Sequence, residues 1–195
     1  IKALGADVWG KSREVVRLIE AARARGISVT ADQYPYEASS TGLHAALLPR
    51  WVFSDDPDYR DKLNDARLLP KIKAGMAENL RRRGGPSAIL LSAPEKLVEL
   101  RGQTLEEVAR QWSVDPLEAA LRVLRNGSSS IVSFNMTETD IHHFMQQPWV
   151  MTSSDASAGH PRKYGAFPRK IRHYVLEKGV LTLGEMIRRS TLLTA

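Results

Sequence analysis

One phrase in the sequence limits the fold more than any other: an amphipathic helix, a glycine, then a β-branched run that stops at proline. Val15, Leu18, Ile19 and Ala22 recur at helical spacing, with Arg13, Glu14, Arg17 and Arg23 around the rest of the cylinder. Ser12 is placed to cap the first turn and Gly26 to stop the last. Ile27-Ser28-Val29-Thr30-Ala31-Asp32-Gln33-Tyr34 follows, short and rich in strand formers, and Pro35 closes it. Helix, glycine and strand in that order are the repeating unit of α/β proteins.

The alternation then breaks. Tyr36 to Gly42 is small and polar, a loop composition. From Asp55 to Arg83 the pattern is that of charged surface helices interrupted near Pro70, with Leu63, Leu68, Leu69, Ile72, Met76 and Leu80 as their apolar positions. Ala88 to Ser92 has a short buried-strand pattern. Thr104-x-x-Glu107 is a capping box, and Asp115-Pro116 places an N-cap before a first-turn proline. Residues 35–127 therefore form a long, mainly helical insertion.

Regular alternation is expected to resume at residue 128. Ser130 to Phe134 is a strand pattern, Thr137 caps a helix through Met145, and Trp149 to Thr152 is another strand. A loop from Ala156 to Pro161 leads to a helix starting near Pro168 and stopping at Gly179. Thr182-x-x-Glu185 is a second capping box.

Composition sets the outer limits. With 195 residues, 43% hydrophobic and 26% charged, the chain is globular rather than disordered or membrane-spanning. Zero Cys excludes a disulfide framework and a cysteine nucleophile within this segment. A net charge of +6 permits an acidic partner, but the basic run Arg81-Arg82-Arg83 ends a helix, where positive charge suits the dipole. No Walker loop, G-x-G-x-x-G or RNA-binding signature accompanies it, so neither a nucleic acid nor a membrane is expected as partner.

Four groups stand out for chemistry. Asp155 follows two serines just past a strand, where a carboxylate can bind a metal or take a proton; it can equally cap a turn. Tyr34 ends the strand before Pro35, where a phenol can donate to an oxyanion; packing at a rim is the plainer reading. Ser40 and Thr41 offer hydroxyls on the next loop. His160, Arg162 and Tyr164 lie close after Asp155 and suit an anion or substrate clamp. His142 and His143 are adjacent on a helix and cannot form an i, i+4 metal pair.

With these residues laid out, the sequence resembles the N-acyl-D-amino-acid deacylases (D-aminoacylases) of the amidohydrolase superfamily. The matching pieces are Ile1-Lys2-Ala3-Leu4-Gly5 with Trp9-Gly10-Lys11-Ser12, then Ala31-Asp32-Gln33-Tyr34-Pro35-Tyr36 with Ser39-Ser40-Thr41, then Trp149 to Asp155. The longest is His160-Pro161-Arg162-Lys163-Tyr164-Gly165-Ala166-Phe167-Pro168-Arg169, similar to the family's H-P-R-x-[YW]-G-x-F-P-R signature. The resemblance implies an α/β fold that is part of a metal-dependent (β/α)8 TIM-type barrel. Residues 1–34 would hold helix six and strand seven, 35–127 an insertion or lid, and 128–195 strand eight and the helices after it.

The resemblance also implies a cytoplasmic hydrolase that cleaves the amide of an N-acyl amino acid with one or two zinc ions. Asp155 would be a metal ligand or proton acceptor, and Tyr34 would polarise the scissile carbonyl. Lys2, Ser40 and Thr41 would lie near the substrate, and His160, Arg162 and Tyr164 would shape the site mouth. The first residue is Ile1 rather than Met, and the family's other metal-binding histidines would precede it. A segment cut from a barrel is expected to be inactive alone and to self-associate or pair with the remainder. Two rival readings are an amidohydrolase acting on a cyclic amide and a non-enzymatic interaction module.

Overall fold

The computed structural model of the chain describes residues 1–54, 58–156 and 160–194. In chain order it begins with α1 (Ser12–Ala24), β1 (Ala31–Gln33), β2 (Ala38–Gly42), α2 (Leu43–Leu47), α3 (Arg50–Phe53), α4 (Arg60–Asn64) and α5 (Leu69–Arg82). β3 (Ile89–Pro94), α6 (Leu105–Gln111), α7 (Pro116–Arg125) and β4 (Ser129–Phe134) follow. The last elements are α8 (Glu138–Met145), β5 (Val150–Thr152), α9 (Arg162–Arg169), a π-helical stretch (Lys170–Glu177) and α10 (Leu183–Ser190). The chain divides into two compact units.

The first unit comprises Ile1–Leu4, Val8–Glu37 and Met136–Ala195. Its sheet is one parallel pair, with Ala31, Asp32 and Gln33 of β1 beside Val150, Met151 and Thr152 of β5. Parallel neighbours need a long crossover, and the sequence between these strands supplies it. Tyr34, Met136, Ile141, Met145, Tyr174 and Leu181 form a buried apolar cluster. Both strands are shorter than their sequence patterns, because only these three residues of each find ladder partners.

Helix α1 ends as expected at a glycine of positive φ, Gly26 at 84°. Its start corrects the expectation that Ser12 caps it. Ser12 is the first helical residue, and the free N–H groups are satisfied from a distant helix: Asp140 of α8 accepts from Gly10 N at 2.8 Å and Ser12 N at 3.2 Å. The helix expected near Pro168 begins earlier, at Arg162, and runs through that proline. Proline cannot donate to the turn before it, and the π-helical stretch begins two residues further on. The loop expected from Ala156 to Pro161 includes residues 157–159, which lie outside the described residues.

The second unit comprises Gly5–Asp7 and Ala38–Asn135. β4 is the centre of an antiparallel three-stranded sheet, flanked by β2 and β3. Thus Ser129–Phe134 belongs with the block before it, and the first unit resumes at Met136 rather than at residue 128. The same sheet corrects the loop expected over Tyr36 to Gly42, since Ala38 to Gly42 pair with Phe134 to Ser130. Small polar residues give little strand propensity, so here the partner strand decides the conformation.

Leu63, Ile72, Met76, Leu80, Ile89, Leu91, Leu105, Val108, Leu121 and Ile131 are among the residues of this unit's apolar core. Pro70 lies in the first turn of α5, so it opens that helix instead of interrupting it. Both capping boxes are present, with Thr104 and Glu107 at the start of α6 and Thr182 and Glu185 at the start of α10.

Candidate active site

Tyr34 follows β1 directly, and Asp155 stands three residues beyond β5, so the parallel pairing brings their strand ends together. Ser153 N donates to the Gln33 carbonyl at 3.0 Å, extending the pairing by one step. Ile1, Lys2, Asp32, Gln33, Tyr34, Ser153 and Asp155 line a cleft of about 200 Å³ at these ends. Asp155 has φ of +47°, an unusual backbone for a residue with a side chain.

The Lys2 ammonium donates to Asp155 Oδ2 at 2.9 Å and lies 4.7 Å from the Tyr34 ring centroid. The Arg162 guanidinium lies 4.4 Å from the same centroid, and its Nη1 is 3.8 Å from Asp155 Oδ2. Its Nη2 donates to the Asp155 carbonyl, tying the start of α9 to the end of β5. Two cations thus flank one carboxylate across one aromatic ring. The hydrogen bond from Lys2, with the nearby Arg162 charge, holds the Asp155 carboxyl below its ordinary range against partial desolvation. Burial works against the charge of Lys2, but Asp155 and Tyr34 outweigh it and hold the ammonium above its ordinary range.

Three donors in this cluster are left over. Among the described residues, the Tyr34 hydroxyl, in a residue only 3% exposed, and Arg162 Nε and Nη1 are buried without hydrogen-bond partners. Buried donors without acceptors are costly. Tyr34 lines the cleft and Arg162 lies against the Tyr34 ring; donors so placed suit an oxygen-rich anion or a carbonyl on which negative charge develops.

The other sequence candidates fall in different places. His160 accepts the Arg162 backbone N–H on Nδ1 at 3.2 Å, so it steadies the first turn of α9. Tyr164, expected on a clamp loop, stands on α9 and is 70% exposed. Ser40 and Thr41 stand on β2 of the second unit, opposite Val132 and Ile131. His142, on α8, joins a cluster: its Nε2 and the Nε2 of His173 meet Glu138 Oε1 at 3.0 and 3.2 Å.

Sequence reasoning missed two residues. Lys170 is 1% exposed, and its ammonium donates to Thr152 Oγ1 of β5 at 2.7 Å. Arg169 donates from Nε to the Pro35 carbonyl at 2.8 Å. Arg169 had a visible signal as the last residue of the long motif; Lys170 had none.

A zinc site needs three or four nitrogen, oxygen or sulfur donors. Among the described residues no group of three His, Cys, Asp or Glu side chains converges on one point. Asp155 is ionised and exposed enough to be one oxygen donor, so it fits as a single ligand and not as a centre. No helix among the described residues is long and apolar enough to cross a membrane.

A parallel strand pair with helices around it, and polar groups gathered at its carboxyl ends, is the site layout of an α/β protein. Comparison with known proteins narrows that class. No protein-family model matches. The chain is 31% identical over 191 residues to the N-acyl-D-glutamate deacylase of Alcaligenes xylosoxydans xylosoxydans, a match spanning 96% of this chain and 31% of that protein. It is 29% identical to a D-aminoacylase of the same organism, over 100% of this chain and 33% of the relative.

Solved structures agree. The N-acyl-D-glutamate deacylase of Bordetella bronchiseptica, complexed with zinc and a phosphonate mimic of the tetrahedral intermediate, matches with a TM-score of 0.69 and 26% identity. That match covers 98% of this chain and 33% of the other. A D-aminoacylase whose crystal structure defines a subset of amidohydrolases matches with the same TM-score and identity, over 98% of this chain and 33% of that one. The chain spans about a third of the length of the curated relatives it matches. Over nearly its whole length the chain is similar to a segment of these deacylases, and its α/β fold is similar to theirs.

Proposed function

We propose that the chain supplies part of the active site of a metal-dependent hydrolase that cleaves the N-acyl amide of N-acyl-D-amino acids. The observation that carries this reading is the set of buried donors with no hydrogen-bond partner among the described residues, Tyr34 Oη and Arg162 Nε and Nη1, beside the Lys2–Asp155 pair at the ends of β1 and β5. Such a substrate brings a carboxylate for the cations and an amide carbonyl for the phenol. Arg162 and Lys2 would hold the carboxylate. Tyr34 would donate to the carbonyl oxygen as it gains charge, an effect commonly worth about 3–4 kcal/mol in the barrier. Zinc, when bound, supplies a water that ionises near neutral pH. Asp155, kept as a carboxylate by Lys2, would be one ligand or would accept that water's proton and pass it to the leaving amine.

In this reading β1 and β5 are strands seven and eight of a (β/α)8 barrel, and the block from Ala38 to Asn135 is an insertion after strand seven. The remaining ligands would come from elsewhere in the protein, and a cytoplasmic location belongs to the same reading. Two other outcomes, a cyclic-amide hydrolase and a non-enzymatic binding module, are separated by assay. The test measures amine release by the zinc-loaded full-length protein from N-acetyl-D-glutamate, other N-acetyl-D-amino acids, their L forms and a cyclic amide. D-selective release, abolished in Asp155→Asn with the fold retained by circular dichroism, is the expected result. Release from the cyclic amide alone, no release at all, or near-normal turnover by Asp155→Asn would overturn the reading.

A further inference from the structure

Helix α9 carries Arg162 and Arg169 two turns apart, and the segment just after β1 carries Tyr34 and Tyr36 two residues apart. Two helical turns return the arginines to one face of α9, and the bend at Pro35 sets the two tyrosines on either side of it. Each arginine lies over one tyrosine: Arg162 is 4.4 Å from the Tyr34 centroid and Arg169 is 5.2 Å from that of Tyr36. The rings themselves are 6.4 Å apart, inclined at 43°. Arg169 also donates to the Pro35 carbonyl between the two tyrosines and faces the Tyr174 hydroxyl. Pro35 confines Tyr34 to extended backbone, so fixing the Pro35 carbonyl fixes the direction from which Tyr34 departs.

Gly165 lies between the two arginines on α9. A Cβ there would stand 2.7 Å from Tyr36 Oη, so the phenol reaches the helix backbone only because this residue has no side chain. A glycine inside a helix is otherwise unfavourable relative to alanine, so close approach accounts for it.

We propose that Arg169 is a positioning residue for Tyr34. Through the Pro35 carbonyl and the Tyr36 ring it sets the turn that presents the Tyr34 phenol beside Asp155, and Gly165 is the seat that lets Tyr36 close against the helix. The role assigned to Arg169 rests on the reading of Tyr34 as the group that donates to the scissile carbonyl.

Two measurements on the full-length protein test it. The first needs no activity: 3-fluorotyrosine is placed at position 34 and followed by 19F NMR without substrate. Arg169→Met is expected to shift and broaden the resonance, and an unchanged line overturns the proposal. Gly165→Ala is expected to do the same, and Gly165→Ala/Tyr36→Phe to restore the line, because the clashing oxygen is gone; no restoration overturns the role of Gly165. Should Arg169→Met fail to fold, Arg169→Lys, which keeps the charge without the planar fork, takes its place with the same expectation.

The second measurement is kinetic. Arg169→Met is expected to lower kcat by about 10- to 100-fold, with KM within about twofold, as a misplaced catalytic group does. In a Tyr34→Phe background the further loss is expected to stay within about twofold, because residues acting through one another are not additive. A full, additive loss there assigns Arg169 to the fold and overturns the proposal. An inactive wild-type protein overturns the functional reading instead, while the fluorine resonance still decides the positioning.

Discussion

Asp140 accepts the backbone N–H of Ser12 at 3.2 Å across the first unit, and of Gly10 at 2.8 Å, so the carboxylate of one helix closes the N-terminus of another. Thr137 Oγ1 donates to the same side chain at 2.8 Å. Donors from three residues thus converge on a residue that is 1% exposed.

Removing that acceptor leaves buried donors unpaired. Asp140→Ala is expected to cost about 2–3 kcal/mol, the sum of a lost cap and a desolvated donor. Burial alone would raise the Asp140 carboxyl, but its hydrogen bonds from Ser12, Gly10 and Thr137 outweigh burial and lower it. The carboxylate therefore contributes stability above the ordinary aspartate range, and that contribution is lost as pH falls through the depressed folded value. Urea midpoints measured between about pH 5 and pH 2 should show this slope in the wild type and a shallower one in Asp140→Asn. Equal slopes would show that Asp140 titrates alike in both states.

Lys170 behaves in the opposite sense. Burial, with the nearby Arg189 charge, pushes its ammonium down to about 8. The unfolded chain then binds more protons than the folded one between about pH 8 and the ordinary lysine value near 10.4. Stability should rise with pH across that window, by on the order of 3 kcal/mol in total at 1.36 kcal/mol per unit. Lys170→Met should flatten the rise and stabilise the chain at pH 7, with Thr152 losing one bond. Chemical denaturation at pH 7 and pH 10 decides it, and a Lys170→Met variant less stable than wild type at both would sink the expectation.

The Lys2–Asp155 contact should be electrostatically visible and energetically small. Both side chains are substantially exposed, 36% and 53%, so Lys2→Met should change stability by no more than about 1 kcal/mol. Its effect on Asp155 should be larger in kind, raising the carboxyl toward its ordinary value because the principal hydrogen bond is gone. The 13C shift of the Asp155 carboxyl, followed through an acid titration, measures this. A titration unmoved by the substitution would mean Arg162 alone holds the charge.

Much of this was legible from residue patterns, and the failures share one cause. The two capping boxes, the Asp115 cap and the Gly26 stop are local devices, complete within a few residues, and the structure contains all of them. The missed features depend on partners far along the chain. The β2 strand exists because β4 pairs with it, and the α1 cap is supplied by α8. Likewise, the gathering of Tyr34 and Asp155 at one cleft follows from strand ends that are recognisable in the sequence, whereas Lys170 is defined by what buries it. His160 and Tyr164 were grouped with Arg162 by proximity in sequence. A helix beginning at Arg162 sends neighbouring side chains in different directions, which leaves Arg162 over Tyr34 and Tyr164 in solvent.

The left-handed backbone at Asp155 limits what can be learned by replacing it. At φ of +47°, asparagine and aspartate sit with little penalty, while alanine, valine and glutamate must strain the chain or bend it elsewhere. Activity lost by an Asp155→Ala or Asp155→Val variant would mix the loss of a carboxylate with a redirected strand end. Asparagine changes the charge and leaves the bend. Tolerance at this position is therefore a property of the main chain as much as of the oxygen atoms, and a saturation screen would rank substitutions by geometry before chemistry.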